Sequence, residues 1–308
     1  MLRSMSNGTK RKQPTTGKST AAQPPKKKRR TNAGEVAILT SNVCGLNEAK
    51  WNNIKKMADA HDIDIIAIQE GAPKKQVDSL VGPDWESIVT QEAPFATRIG
   101  NETVPPSVGI KRFNVLLKRA DATDIDLVER AYTLETSQKF KDEFIGTPVE
   151  EPGKRVRKPK VDLSKLNKLG VRRPQNIELT MPGHMAVSFY NYHAPQGSGS
   201  AQGYSGMDAP IGHEILSMVI DEDNTPYKMV IGDQNAYPDS MENRYPKPFK
   251  ILSATTSPTE LVHAAIPRGL NPQPIDLGRD GIDFNNKGQP GCSDHPPQAF
   301  KVTLPSSI

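Results

Sequence analysis

Short apolar segments that end in polar residues make up most of residues 35–308, and they restrict the fold more than any other feature. Segments with the composition of β-strands are 36–40, 63–68, 109–118, 126–133, 176–180, 185–192, 229–231 and 298–304. Apolar residues recur at helical spacing in 48–60, with Asn47 as the N-cap, and in 209–221. Many strands and few helices predict an α/β (α+β) fold, in which sheets pack on each other and carry helices outside, within one domain spanning 35–308.

The composition excludes several classes of protein. Hydrophobic residues make up 35% of the 308 residues and the mean hydropathy is −0.58, and no apolar run reaches the roughly 18 residues that span a membrane. The initial sequence MLRSMSNGTKRKQ contains no apolar stretch, so we expect no secretory signal there. The chain has two cysteines, Cys44 and Cys292, which can form neither a disulfide framework nor a cysteine-based zinc site.

Positive charge is concentrated in residues 1–34. Ten of the 40 Lys and Arg residues lie there and none of the 35 Asp and Glu residues, so the rest of the chain has 30 basic and 35 acidic residues and a net charge of −5. Because the segment has almost nothing apolar to bury, we predict a disordered tail. Its two basic clusters are spaced like a bipartite nuclear localisation signal and consist of Lys10, Arg11, Lys12, Lys26, Lys27, Lys28, Arg29 and Arg30. We therefore expect a nuclear import receptor as a partner and location in the nucleus, although such a tail could also bind nucleic acid nonspecifically.

A surface insertion is predicted at about 146–175, where Pro, Gly and charged residues occur without lasting periodicity. Its basic residues could face a polyanion or could be ordinary solvated surface, and the sequence is compatible with both. These residues are Lys154, Arg155, Arg157, Lys158, Lys160, Arg172 and Arg173.

Polar side chains follow the apolar segments where the predicted strands end. They are Asn42, Glu70, His193, Asp233, Asn235 and, just before the last strand, the Ser-Asp-His sequence at 293–295. Titratable side chains at the ends of adjacent buried strands gather at one edge of a fold, which is a common place for a functional site. The sequence therefore predicts one active site built from segments far apart in the chain.

The residue types in this set favour hydrolysis of a phosphoester, in which a cation and hydrogen-bond donors must stabilise negative charge on the phosphate. Glu70 and Asn42 offer hard oxygen ligands suited to Mg²⁺, with Mn²⁺ or Ca²⁺ as alternatives. Asp233 or His295 could take a proton from the attacking water, and Asn235 could orient the phosphate or the nucleophile.

Histidines offer further donors at the predicted site. His193 and His295 could each donate to a phosphate oxygen, and a histidine used in this way needs a carboxylate that fixes its tautomer. Asp283, in the sequence Gly-Ile-Asp-Phe, is the candidate partner for His295.

Five stretches, taken in order, resemble the endonuclease/exonuclease/phosphatase superfamily, which has the fold of deoxyribonuclease I. They are SNVCGL (41–46), IIAIQE (65–70), NYHAP (191–195), IGDQNA (231–236) and SDHPPQAF (293–300). Within that superfamily the sequence is most similar to the catalytic subunit of cytolethal distending toxin, through residues 42–54, 68–73 and 109–117.

The resemblance implies a four-layer α/β/β/α sandwich with a divalent-metal site at one rim. Carried over by motif, the metal site would comprise Glu70, Asn42 and Asp294. The catalytic residues would be His193, His295 with Asp283 behind it, and Asp233 and Asn235, which would position the nucleophile and the phosphate. Arg112 is similar to the family's phosphate-contacting arginine, although Lys111 beside it could make that contact instead.

The leading hypothesis is a metal-dependent DNA endonuclease that nicks and so damages DNA in the nucleus, with little sequence preference. A phosphoinositide phosphatase of the same fold is the main alternative, because its site chemistry is nearly identical and the basic insertion could bind its substrate. An apurinic-site repair enzyme and a DNA- or partner-binding protein without activity are further alternatives.

The basic tail departs from the resemblance, because a secreted toxin subunit begins with a signal peptide. A nuclease made inside a eukaryotic cell, or one delivered by another route, would fit such a tail. Partnership with toxin delivery subunits stays open on the sequence alone.

Overall fold

The computed structural model describes residues 34–91, 98–99, 102–103, 112–130, 174–195, 209–244, 249–253, 262–279 and 296–307. The strands are β1 (Glu35–Asn42), β2 (Ile65–Gln69), β3 (Trp85–Gln91), β4 (Arg98–Ile99), β5 (Glu102–Thr103), β6 (Phe113–Arg119), β7 (Asp126–Glu129), β8 (Gln175–Thr180), β9 (Val187–Asn191), β10 (Tyr227–Ile231), β11 (Phe249–Ser253), β12 (Val262–Pro267), β13 (Gln273–Ile275) and β14 (Gln298–Thr303). The helices are α1 (Glu48–Ala60), α2 (Lys74–Val81), α3 (Ala209–Glu222) and α4 (Pro238–Arg244).

Two six-stranded mixed sheets form the frame of the described structure. The first has the order β13-β14-β1-β2-β6-β3 and the second the order β11-β12-β10-β9-β8-β7, while β4 and β5 pair with each other. In each sheet the two central strands run parallel, β1 with β2 and β9 with β10. The remaining pairs in both sheets are antiparallel. The carboxyl ends of two parallel pairs are therefore central in the frame.

The inner faces of the two sheets pack on each other through apolar side chains. Alternate residues of the central strands supply this core, which includes Ile38, Ile65, Leu116, Phe189 and Ile231. All five are at most 1% exposed. Full burial of a side chain of this size stabilises a fold by about 1.5–3 kcal/mol.

Helices α1 and α2 cover the outer face of the first sheet. Trp51, Ile54 and Met57 lie on one face of α1 and are buried in a second apolar cluster with outward-facing residues of β1, β2 and β6. The Asn47 side chain accepts a hydrogen bond from the Lys50 amide at 2.9 Å and caps the start of α1. None of the helices within the described residues is long and apolar enough to cross a membrane.

Helix α3 is tied to the outer face of the second sheet. The Tyr190 hydroxyl in β9 donates to Asp223 Oδ2 at 2.5 Å, directly after the helix ends. Burial and this hydrogen bond raise the pKa of Tyr190. Burial alone would raise the pKa of Asp223, but hydrogen bonds from Ser188, Tyr190 and Thr225 lower it. Helices therefore lie outside both sheets, which is the predicted four-layer α/β/β/α arrangement.

The observed elements match most of the predicted ones. Helix α1 has the predicted bounds, and α3 extends one residue beyond its predicted end. Strand β2 begins at Ile65 and not at residue 63, because the Asp64 carboxylate turns to accept a hydrogen bond from the Ala37 amide at 2.9 Å. Elements that the sequence did not predict are α2, α4, β3, β4, β5, β11, β12 and β13. Most of the predicted insertion and all of the predicted tail up to residue 33 lie outside the described residues.

Candidate active site

The carboxyl ends of the two parallel strand pairs carry the candidate site residues. Asn42 is the last residue of β1 and Glu70 follows β2 in the first sheet. His193 lies two residues beyond β9 and Asp233 two residues beyond β10 in the second sheet. Crevices outside the carboxyl ends of parallel strands are frequent ligand sites. In this chain the site draws on both sheets.

A hydrogen bond between the sheets joins Asn42 to Asp233, with the amide Nδ2 donating to Oδ2 at 2.9 Å. The other carboxylate oxygen of Asp233 accepts the backbone amide of Asn235 at 3.1 Å. Asn42 Oδ1 accepts the Cys44 amide at 3.2 Å, so the orientation of the Asn42 side chain is defined by a carboxylate at one end and an N–H at the other. Asn235 Nδ2 donates to the Ala194 carbonyl at 2.7 Å and joins the loops after β9 and β10. The Asp233 carboxylate is thus held in one orientation.

The Glu70 carboxylate contacts both Arg112 and His193. Arg112 Nη1 donates to Glu70 Oε1 at 2.6 Å, and His193 Nδ1 lies 3.5 Å from the same oxygen. His193 Nε2 lies 3.8 Å from Asp233 Oδ2. Both histidine distances are longer than a usual hydrogen bond. Arg112, Glu70, His193 and Asp233 therefore form a continuous series of contacts that crosses from one sheet to the other.

The exposure of these side chains falls steadily along the series. The Arg112 side chain is 42% exposed, Glu70 13%, His193 5% and Asp233 1%. An anionic ligand arriving from solvent would meet the guanidinium first, and the more deeply placed groups are shielded from water. Shielding strengthens electrostatic interactions within the site.

Left-handed backbone surrounds the site. Cys44, Glu70 and Asn235 have φ angles of 48°, 52° and 47°. A residue with a Cβ in this conformation costs about 1–3 kcal/mol, and such residues collect at functional sites. Gly232, with φ of 118°, lies directly before Asp233, and a Cβ there would lie 2.2 Å from the Tyr192 carbonyl oxygen. The close approach of the loops that carry His193 and Asp233 therefore requires glycine.

Three buried amides beneath the site were given no role in the sequence analysis. Gln69 Nε2 donates to Asn191 Oδ1 at 2.7 Å, and Asn191 Nδ2 donates to Gln175 Oε1 at 3.1 Å. Gln69 and Asn191 each end a mostly apolar strand, IIAIQ and VSFYN, whereas Gln175 begins its strand.

Six of the nine candidate residues are described by the structure, and all six lie in the contacts given above: Asn42, Glu70, Arg112, His193, Asp233 and Asn235. His295, Asp283 and Asp294 lie outside the described residues, as does Lys111, the alternative to Arg112. The basic residues of the predicted nuclear localisation signal also lie outside them.

The described donors fit a hard divalent cation. The Glu70 carboxylate and the Asn42 amide oxygen come from the ends of neighbouring strands, and the Asp233 carboxylate contacts Asn42. In the described parts of the chain no group of three or more His, Cys, Asp or Glu side chains could hold a metal ion by itself. Mg²⁺ does not need such a group, since it typically binds one or two carboxylates and keeps several waters.

Comparisons with known proteins found similarity to solved structures only. No family model matches the chain, and no curated protein matches it by sequence. The structure is similar to that of an endonuclease/exonuclease/phosphatase family protein from Leptotrichia buccalis, with 12% identity, a TM-score of 0.43, and coverage of 87% of this chain and 99% of that chain.

Two further solved structures are similar over most of the chain. A humanized D. rerio TDP2 has 10% identity, a TM-score of 0.49, and coverage of 89% of this chain and 100% of that one. The Haemophilus ducreyi cytolethal distending toxin has 17% identity, a TM-score of 0.40, and coverage of 86% of this chain and 97% of that one.

Proposed function

We propose that this chain is a divalent-metal-dependent phosphodiesterase that nicks DNA. The observation that carries the proposal is the contact series from Arg112 through Glu70 and His193 to Asp233. It combines a cationic donor that solvent can reach, hard oxygen donors and a histidine between two carboxylates. These groups can stabilise the negative charge that develops when a phosphodiester is hydrolysed.

Arg112 is the proposed contact for a nonbridging phosphate oxygen. Its guanidinium is partly exposed, always charged and able to present two parallel N–H donors to phosphate. Glu70, with Asn42, would hold the divalent cation. The cation, when bound, would stabilise negative charge on the phosphate and on the leaving oxygen.

Asp233 and His193 are the proposed groups for water and proton handling. The hydrogen bonds from Asn42 and Asn235 hold the Asp233 carboxylate, so that it could orient a water molecule and accept its proton. His193, near Glu70 on one side and Asp233 on the other, could donate from a ring nitrogen to a phosphate oxygen. His295, with Asp283 as its proposed partner, stays the proposed second histidine, by motif alone.

DNA is the proposed substrate, and we expect little sequence preference because phosphate contacts of this kind do not discriminate between bases. Outside the tail the chain has a net charge of −5. We therefore propose that the basic tail raises affinity for DNA, an effect that must fall as salt is added. We also propose that the tail binds a nuclear import receptor, which would bring the nuclease to chromosomal DNA. A toxin-like role would require that the protein enters a target cell.

The test of activity is nicking of supercoiled plasmid by the full chain with Mg²⁺. Glu70→Gln and His193→Ala should each lower the nicking rate by about 100-fold or more, as expected for loss of a catalytic group. His61→Ala is the matched control, because His61 lies at the end of α1, outside the contact series. No nicking by the wild-type chain, or full nicking by His193→Ala, would contradict the proposal.

Assays of other substrates with the same protein preparations distinguish a nuclease from a phosphoinositide phosphatase and from an apurinic-site repair enzyme. Faster release of phosphate from inositol lipids than nicking of plasmid would favour the phosphatase. A strong preference for a duplex with an apurinic site would indicate a repair enzyme.

The tail has its own test, which does not depend on activity. A fluorescent fusion of the full chain should accumulate in nuclei. Replacement of Lys26, Lys27, Lys28, Arg29 and Arg30 with alanine should distribute it through the cell. An unchanged distribution would remove the import proposal and leave the enzymatic one standing.

A further inference from the structure

A series of hydrogen bonds, buried except for its last member, connects the two sheets directly beneath the candidate site. Its members, from one end to the other, are Thr40, Gln69, Asn191, Gln175 and Thr90. Thr40, Gln69 and Thr90 belong to the first sheet, and Gln175 and Asn191 to the second. This series of hydrogen bonds therefore passes between the sheets twice, from Gln69 to Asn191 and from Gln175 to Thr90.

Asn191 is the central member. Its Oδ1 accepts from Gln69 Nε2 at 2.7 Å, and its Nδ2 donates to Gln175 Oε1 at 3.1 Å. The same Nδ2 lies within 3.3 Å of the Val115 carbonyl and 3.4 Å of the Ile68 carbonyl, both in the first sheet. Asn191 and Gln69 are fully buried and Gln175 is 1% exposed. These bonds are out of competition with solvent water.

The network lies next to the residues that would perform the chemistry. Gln69 directly precedes Glu70, and Asn191 lies two residues before His193. A Cβ on Gly232, the residue before Asp233, would lie 3.0 Å from Cδ and Nε2 of Gln69. The Gln69 amide therefore packs against the backbone that leads to Asp233.

Apolar packing between the sheets cannot by itself set their lateral offset precisely, because the hydrophobic effect has no direction. Hydrogen bonds do have direction and a narrow range of lengths. A catalytic site needs its groups held to within about 0.5 Å. Since Glu70 belongs to one sheet and His193 and Asp233 to the other, something directional must fix their separation.

We propose that Gln69 and Asn191 are positioning residues, whose hydrogen bond sets Glu70 at its working distance from His193 and Asp233. The inference rests on the proposed phosphodiesterase function for its catalytic consequence. The Gln69 Oε1 atom is buried and has no hydrogen-bond partner among the described residues, which destabilises the fold. Two apolar side chains in place of Gln69 and Asn191 would avoid the cost of this unpartnered oxygen. The amides are therefore better explained by the positioning of Glu70 than by the stability of the fold.

The test compares Gln69→Met, Asn191→Leu and the double variant, all in the full chain. Each single variant leaves a buried amide without its partner, whereas the double variant removes both ends of the central bond and should recover part of the lost stability. Asn176→Ala is the matched control, because this residue is a buried amide of β8 directly after Gln175 but takes no part in the network. Denaturation midpoints, kcat and KM for plasmid nicking, and crystal structures are measured for all variants.

A positioning role predicts that activity and stability separate. The double variant should regain part of the denaturation midpoint while kcat stays about 10-fold to 100-fold below wild type, the loss expected for a misplaced catalytic group. KM should change by no more than about twofold, because the phosphate contact at Arg112 is untouched. In crystals, the 3.5 Å separation of Glu70 Oε1 and His193 Nδ1 should change by more than about 0.5 Å. Asn176→Ala should leave kcat unchanged.

Recovery of kcat together with stability in the double variant would overturn the proposal, since the amides would then matter only for folding. An unchanged separation of Glu70 and His193 in its crystal structure would overturn it as well. If the wild-type chain does not nick DNA, the proposed function fails, and the crystallographic distances alone still decide whether the amides position these two side chains.

Discussion

Replacing Arg112 with alanine should tighten the binding of a divalent cation and weaken the binding of DNA. Arg112 Nη1 donates to Glu70 Oε1 at 2.6 Å, so the guanidinium occupies the carboxylate that is the proposed main ligand of the cation. A cation must compete with this ion pair or tolerate a positive charge beside it. Removal of the guanidinium abolishes both penalties.

The size of the effect follows from the exposure of the pair. Arg112 is 42% exposed and Glu70 13%, which places the pair nearer the surface than the interior. Such pairs stabilise by up to about 1 kcal/mol, which corresponds to a roughly fivefold change in a dissociation constant. We therefore expect Mn²⁺, a convenient substitute for Mg²⁺, to bind Arg112→Ala about threefold to fivefold more tightly.

Calorimetric titration of the full chain with Mn²⁺, without DNA, measures this effect independently of activity. Fluorescence anisotropy of a labelled duplex in EDTA measures the second effect, and the slope of log affinity against log salt should fall by about one for one lost phosphate contact. Lys55→Ala is the control, because it removes a cation from the exposed pair with Asp59 on α1. Unchanged or weaker Mn²⁺ binding by Arg112→Ala would refute the reasoning about competition at Glu70.

Three further predictions concern the backbone around the site and the outer face of the second sheet. Gly232→Ala should lower the free energy of unfolding more than Gly183→Ala does. Both glycines have positive φ, but only at Gly232 would the new Cβ meet a backbone atom, at 2.2 Å. Equal losses in urea denaturation would contradict this close approach. Glu70→Asn should be more stable than Glu70→Gln by about 1 kcal/mol, since asparagine tolerates a φ of 52°, and both should be inactive; thermal unfolding of the two variants decides this. The pKa of Asp223 is lowered in the fold, so its contribution to stability is present above the unfolded pKa near 3.8 and is lost as the pH falls below that value. The pKa of Tyr190 is raised in the fold, so its contribution is present below the unfolded pKa near 10 and is lost as the pH rises above that value. Tyr190→Phe should therefore flatten the alkaline limb of a stability–pH profile, and an unchanged limb would argue against the pair.

Secondary-structure elements could be predicted from the sequence where the spacing of apolar residues was clear. Helix α1 repeats its apolar residues at helical spacing and starts at a capping asparagine, and its bounds are as predicted. Strand β3 was missed because it is mostly half-buried, so its sequence, WESIVTQ, mixes polar and apolar residues. Helix α2 was missed because it has only eight residues and no side-chain cap. Short elements at the margin of the core depend on tertiary contacts that the sequence does not display.

Individual side chains of the candidate site could be predicted, but the arrangement that joins them could not. Motifs and strand ends indicated Glu70 and His193 as site residues, yet no local signal states that a carboxylate from one sheet lies 3.5 Å from a histidine of the other. The register between two packed sheets is a property of the whole fold. For the same reason Gln69 and Asn191, whose contact spans 122 positions of sequence, were given no role.

The candidate site gathers several features that are unfavourable for folding. Glu70 has left-handed backbone, Asp233 is a carboxylate with only 1% exposure, and Gln69 keeps a buried oxygen without a partner among the described residues. Each such feature costs about 1–3 kcal/mol, and the apolar core between the sheets must offset the total. Such features also occur elsewhere in the described structure, as in the left-handed backbone of Asp62 and Asn271. Those at the candidate site fall on residues with proposed chemical roles, where function can require a local inconsistency. Relieving one of them, as Glu70→Asn does for the left-handed backbone, should raise stability relative to Glu70→Gln and still leave the chain inactive.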